Sequence, residues 1–148
     1  MNYLLYEDKP KYDTWLKILL GGIIALVIIL GFIEVANDSG QALGVFGVAI
    51  FLIILFRLIL PRRFQIQNDK LRIVLGGGPL AINIPFNDIK EVKPRTGIKA
   101  FIYVGIRFAT SANYTIEIIR HRGLNIVISP TNDAEFMKQL DQARNAAI

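Results

Sequence analysis

Lys90, Lys93, Arg95 and Lys99 put four cations into one short stretch of this sequence of 148 residues. With Pro94 and Gly97 among them they read as the most basic loop. A cation placed close to an anionic membrane surface contributes about 1 kcal/mol to attraction. Contact with headgroups or with a partner is the chemistry such a loop supports, and a solvated surface is the ordinary alternative. Other candidates are weaker. Asp88 and Glu91 are the only close acidic pair in the strand region between Pro61 and the final helix, and their spacing falls across a linker and a strand rather than forming acid-base machinery. The single histidine, His121, sits in a turn with no catalytic or metal-binding partner in the sequence. Gly76, Gly77 and Gly78 run into Pro79, not into the Lys and Ser or Thr of a phosphate-binding helix. There is no cysteine, which removes disulfides, thiolate catalysis and the common zinc sites. No catalytic, cofactor-binding or metal-binding residue is expected, and the chain is read as a non-enzyme.

The elements that must position these residues begin with two apolar runs. Trp15 to Ile33 and Ala42 to Leu60 flank a polar loop, Glu34 to Gln41, whose Asn37, Asp38, Ser39 and Gly40 are turn formers. About 20 apolar residues at ~1.5 Å rise span a hydrocarbon core of roughly 30 Å. The expected organisation is a juxtamembrane arm (1–14), a transmembrane helical hairpin (15–60, with helices 15–33 and 42–60 and an external loop 34–41) and a water-facing domain (61–148). The apolar fraction of 53% is high for a soluble protein, and the excess lies in the hairpin. The first run resembles a signal core, but Glu34, Val35, Ala36 and Asn37 lack the small-x-small cleavage pattern, so an uncleaved anchor is expected.

Cations set the orientation. Lys9, Lys11 and Lys17 precede or open the first helix, Arg57, Arg62 and Arg63 close the second, and the loop between has none. Both termini should be cytoplasmic, with Lys17, Arg57, Arg62 and Arg63 as topology anchors. Arg57 lies one turn from its helix end, where snorkelling removes most of the cost of burying a charge. No polar residue recurs down either helix, which argues against a transporter or channel made from this hairpin alone. Gly21, Gly22 and Ala25 in the first helix and Gly40, Gly44, Gly47 and Ala49 in the second are offset, so small residues should face bulky ones. Gly40 and Gly44 also form a small-xxx-small pair suited to self-assembly.

From Pro61 onward there are 13 Lys and Arg against 7 Asp and Glu, so the positive charge belongs to this part. The aromatics do not interleave with the cations, and nucleic acid is not an expected partner. Here the pattern changes to alternation. Phe64 and Ile66, then Leu71, Ile73 and Leu75, flank a turn at Asn68 and Asp69 and predict a tight hairpin. Strands follow around Ala81 to Ile84 and Ile89 to Lys93, with one long strand, or two joined at Gly105, between Ile98 and Ala109. Tyr114 to Arg120 and Leu124 to Ser129 make a late hairpin turning at His121, Arg122 and Gly123. The chain closes in an amphipathic helix from Ala134 to Ala146, with Asn132 as N-cap and Glu135 as its reciprocal partner.

Two stretches carry a family resemblance. INIPFNDIKEVK (Ile82 to Lys93) and IVISPTNDAEFMKQL (Ile126 to Leu140) look like the "I-P-x-x-D-I-x-x-V" and "I-S-P-x-x-x-x-x-F-x-x-x-L" segments of bacterial pleckstrin-homology (PH)-like domains. With two membrane helices ahead of them, the chain resembles the small membrane-anchored bacterial PH-domain proteins. The resemblance implies an antiparallel sandwich or barrel of about seven strands capped by a C-terminal helix, with Ile84, Ile89, Val92, Ile128, Phe136 and Leu140 in its core. The lipid-binding members use a basic motif on the first hairpin. Here that turn is only Asn68 and Asp69 beside Lys70 and Arg72, so specific phosphoinositide binding is not expected. The reading that follows is a non-enzymatic adaptor or scaffold at the cytoplasmic membrane face, binding a protein partner or copies of itself. Its alternative is recognition of anionic lipid headgroups through Lys90, Lys93, Arg95 and Lys99.

Overall fold

The computed structural model describes residues 3–38, 40–78, 80–96 and 105–147. Uninterrupted apolar sequence gives two helices, α1 (Thr14–Ala36) and α2 (Ala42–Ile59), which pack against each other. At 23 and 18 residues they are about 34 and 27 Å long. Both are long and apolar enough to cross a membrane. Each buries one residue, Gly31 in α1 and Ala49 in α2. A Cβ on Gly31 would lie 2.7 Å from the Phe46 ring, so only glycine lets that ring seat against α1. Phe46 also meets Phe32 edge-on at 5.5 Å. This corrects the expected packing: Gly21, Gly22, Gly44 and Gly47 face open space, and the close approach falls to Gly31, near the far end of the hairpin.

The described residues form eight strands. The first sheet has the order β1 (Leu4–Asp8), β2 (Pro61–Gln67), β3 (Lys70–Leu75) and β4 (Leu80–Pro85), all antiparallel. Its register sets Phe64 opposite Ile73 and Ile66 opposite Leu71, which turns all four inward, fully buried. A single 3-10 turn, Phe86–Asp88, leads to the second sheet. That sheet holds β5 (Ile89–Arg95), β6 (Gly105–Phe108), β7 (Thr115–Arg120) and β8 (Asn125–Ile128) in the order β5-β7-β8-β6. Sequence leads to about seven antiparallel strands; among the described residues there are eight, and β6 runs parallel to β8. Gly105 opens β6 against the Asn125 carbonyl, where a Cβ would collide with the neighbouring backbone. The rest of the expected strand from Ile98 to Val104 lies outside the described residues.

Helix α3 (Asp133–Ala146) closes one end of the sandwich with Phe136, Leu140 and Ala143 buried. Phe136 meets Tyr6 and Phe64 edge-on at 6.1 and 6.3 Å. Of the expected core, Ile84, Ile89, Ile128, Phe136 and Leu140 are buried and Val92 packs half-buried against them. Asn132 caps α3 through its Oδ1, which accepts from the Glu135 N–H at 3.3 Å. The return bond expected from Glu135 comes instead from Asp8, whose Oδ2 accepts from the Asn132 N–H at 2.8 Å. Glu135 turns along its own helix to accept from Gln139.

Asp8 reaches α3 because the segment read as a juxtamembrane arm (1–14) is part of the sandwich. β1 is the edge strand beside β2, 65 residues removed at the Tyr3 contact with Asn68. The next residues cross to the second sheet: Lys11 N–H donates to the Ser129 carbonyl at 2.8 Å, and Thr131 N–H to the Lys9 carbonyl at 2.9 Å. Thr110 Oγ1 donates to the Lys11 carbonyl at 2.6 Å, and the Ala112 N–H to Asp13 Oδ2 at 2.7 Å. The first fourteen residues thus strap the two sheets together and deliver the chain to α1.

Candidate functional site

The expected basic loop is a strand over its described part. Lys90, Lys93 and Arg95 all lie on β5, and Lys99 lies outside the described residues. At a rise of about 3.3 Å per residue, Lys90 and Arg95 are roughly 16 Å apart along that strand. Two of the three charges are also spoken for. Lys93 Nζ meets Glu91 at 2.8 Å on the surface. Arg95 donates through Nε and Nη2, each at 2.7 Å, to Oε2 of Glu117. The Glu117 side chain is only 4% exposed and also accepts from Asn125 Nδ2 at 3.1 Å. A buried carboxylate needs such a partner, so Arg95 serves the fold. Lys90 is exposed and has no carboxylate partner among the described residues.

The acidic pair separates in the same way. Asp88 Oδ2 accepts from Arg120 Nε at 2.7 Å and Nη2 at 2.6 Å, and its Oδ1 from the Arg122 N–H at 2.9 Å. The Arg120 hydrogen bond holds the Asp88 carboxyl below the ordinary carboxylate range, helped by Arg122 and opposed by partial burial. Glu91 pairs with Lys93 instead. His121 is exposed, with its backbone N–H on the Asp88 carbonyl. These groups tie the end of the β7–β8 hairpin to the turn before β5.

A different set of cations converges. The last turn of α2 and the β3–β4 turn touch: the Gly76 N–H donates to the Leu60 carbonyl at 3.0 Å, and a Cβ on Gly76 would lie 2.6 Å from the Arg57 carbonyl. Gly76 has φ +52, a backbone that glycine adopts without strain. Beside this junction lies a cleft of about 510 Å³ lined by Lys9, Pro10, Tyr12, Arg57, Arg62 and the Gly76–Gly77 turn, with Leu60 and Pro61. Lys9 comes from the strap, Arg57 from α2 and Arg62 from β2, so no stretch of sequence holds the set. Tyr12 Oη donates to the Pro61 carbonyl at 2.8 Å, and burial raises its phenol above the ordinary value, so it stays a neutral donor.

The expected topology anchors therefore have different surroundings. Arg57 and Arg62 face this cleft, Arg63 donates to Glu7 at 3.2 Å, and Lys17 is exposed on the first turn of α1. Sequence reading named Arg57 and Arg62 but missed Lys9 as their neighbour. The one local signal was Pro10, a residue that sheets tolerate at strand ends and edges.

Two sheets packed face to face, linked by a 3-10 turn and closed by a C-terminal helix, define a PH-like fold, here preceded by two apolar helices. The family model of the bacterial PH domain matches residues 62–144, and the chain belongs to that family. No curated protein and no solved structure matches it. PH domains are in general non-catalytic binding modules, and membership suggests a binding or adaptor module here.

Proposed function

We propose that this chain is a non-enzymatic adaptor or scaffold that holds a PH domain against the cytoplasmic face of the inner membrane and there binds a protein partner or further copies of itself. The observation that carries the reading is the surface of α1 and α2. Large apolar side chains, among them Ile18, Leu26, Phe32, Leu43, Phe51 and Ile54, are exposed around both helices. A core helix of a soluble protein buries such residues, and a bilayer supplies the cover that this fold does not. The start of α1 and the end of α2 both adjoin the domain, and the cations Lys9, Lys11, Lys17, Arg57, Arg62 and Arg63 lie at that end. This favours a cytoplasmic domain and cytoplasmic termini. Since Leu60 leads directly into β2, the domain works within a few residues of the headgroups.

Purification of the tagged full-length protein in mild detergent, with mass spectrometry and a size measurement, tests the reading. A stoichiometric partner or a defined oligomer is expected. A lone monomer without a partner would overturn both forms of it.

Recognition of anionic headgroups is the second reading, favoured by the surplus of cations in the domain. Of the residues first assigned to it, Lys93 and Arg95 are engaged by carboxylates, and Lys90 is the described member with a free charge. Binding of the full-length protein to anionic lipid that weakens with salt would support this reading, and its absence at low salt would remove it.

A further inference from the structure

We propose that the cleft between the strap, the end of α2 and the β3–β4 turn is a binding site for a phosphate group, with Lys9, Arg57 and Arg62 as its cationic ligands; this deepens the headgroup reading and rests on it. Three positive charges from three separate parts of the chain line one cleft, and no carboxylate lines it with them. Among the described residues none of the three forms an ion pair, whereas Arg63, Lys93, Arg95 and Arg120 all do. Arg57 in the last turn of α2 also complements the negative end of that helix. That accounts for Arg57 alone and leaves Lys9 and Arg62 without a local partner.

The chemistry of the lining selects the ligand. Guanidinium groups present paired donors that fit phosphate oxygens, and Lys9 adds a point charge. Pro10, Leu60 and Pro61 supply apolar wall beside the charges, which suits the glycerol and upper acyl region of a phospholipid. A volume of about 510 Å³ is of the size that small ligands fill. The cleft also lies level with the junction of the apolar helices and the domain, which is headgroup depth when the hairpin spans a bilayer. A phosphate ester is thus the shared chemistry, whether carried by a phospholipid or by a soluble metabolite.

The test is native mass spectrometry of the full-length protein in nonionic detergent, titrated with phosphatidylglycerol or phosphatidylcholine. The expected result is one saturable phosphatidylglycerol, held at least fivefold more tightly than phosphatidylcholine. Lys9→Gln and Arg62→Gln should each weaken it by about fivefold, the effect of one cation near an anionic surface. Arg62→Lys should retain most of the affinity, and Lys90→Gln should leave it unchanged. Near-UV circular dichroism of Trp15 and the elution volume identify any variant that has lost its fold. Glycerol 3-phosphate and inorganic phosphate, added as competitors, separate the sources. Displacement at comparable concentration assigns the site to soluble phosphate, and resistance assigns it to the lipid. Wild-type affinity in both cleft variants would overturn the site. Loss only in Lys90→Gln would overturn it while leaving headgroup recognition standing, and no preference for phosphatidylglycerol by the wild type would overturn both.

Discussion

Arginine side chains show how little a charge in a sequence says about its use. Arg95 and Arg120 are held by carboxylates, Glu117 and Asp88, that are 22 and 32 residues away. Arg57 and Arg62 are not so held. The Asp88 bond has a pH signature. Because its folded carboxyl titrates below the unfolded one, the bond contributes stability above the unfolded value and loses it as pH falls through the folded value. The denaturation midpoint of the domain should therefore fall with pH below about 4. Asp88→Asn should show a smaller fall over that window, as well as a lower midpoint at neutral pH. A parallel pH profile in wild type and variant would contradict the assignment. Gly76 is the other decisive residue. Gly76→Ala places a Cβ against the Arg57 and Leu58 backbone at a positive φ. It should cost more than about 1 kcal/mol and loosen the helix-to-sheet junction, read as a lower thermal midpoint and faster proteolysis at the β3–β4 turn.

At the scale of elements, β1 and the strap after it matter most. The family match begins at residue 62, yet the folded unit recruits Leu4–Asp8 as an edge strand and Lys9–Asp13 as a brace across both sheets. Tyr6 packs on Phe136 from that strand. Tyr6→Ala should destabilise the domain by about 1–3 kcal/mol through lost burial and the edge-on ring contact. Asp8→Ala removes the acceptor of the Asn132 N–H and should cost about 1 kcal/mol, as other losses at helix N-caps do. Thermal denaturation of the full-length variants measures both, and unchanged midpoints would mean that the strap is dispensable. Helix α3 and the two tight hairpins were legible in sequence because caps, turns and alternation are local signals. β1 was not. Residues 4–8 alternate too weakly to declare a strand, and their partner lies across both helices. The parallel pairing of β6 with β8 was hidden for the same reason, since alternation gives a strand's faces and not its neighbours.

For the molecule as a whole, the placement of the hairpin is the central prediction. The natural sequence has no cysteine, so single cysteines report cleanly. In intact cells Gly40→Cys, between the helices, should react with an impermeant maleimide, and Ala147→Cys should react only after the membrane is opened. The reverse pattern would overturn the orientation. The protein should also resist extraction from membranes by alkaline carbonate, and its release would show that α1 and α2 do not span.

The sequence by itself determined the two apolar helices, the hairpins at Asn68–Asp69 and His121–Gly123 and the capped final helix. Each follows from length, periodicity or turn chemistry within a dozen residues. It also carried enough pattern for the bacterial PH resemblance. Only the tertiary structure decided that the first fourteen residues belong to the sandwich, that Gly31 rather than Gly21 or Gly44 lets the helices close, and that Lys9, Arg57 and Arg62 line one cleft. The physical reason is the same in each case. Pairing and charge neutralisation act through space between residues tens of positions apart, and a charge is free or spent according to neighbours that only the folded chain brings beside it.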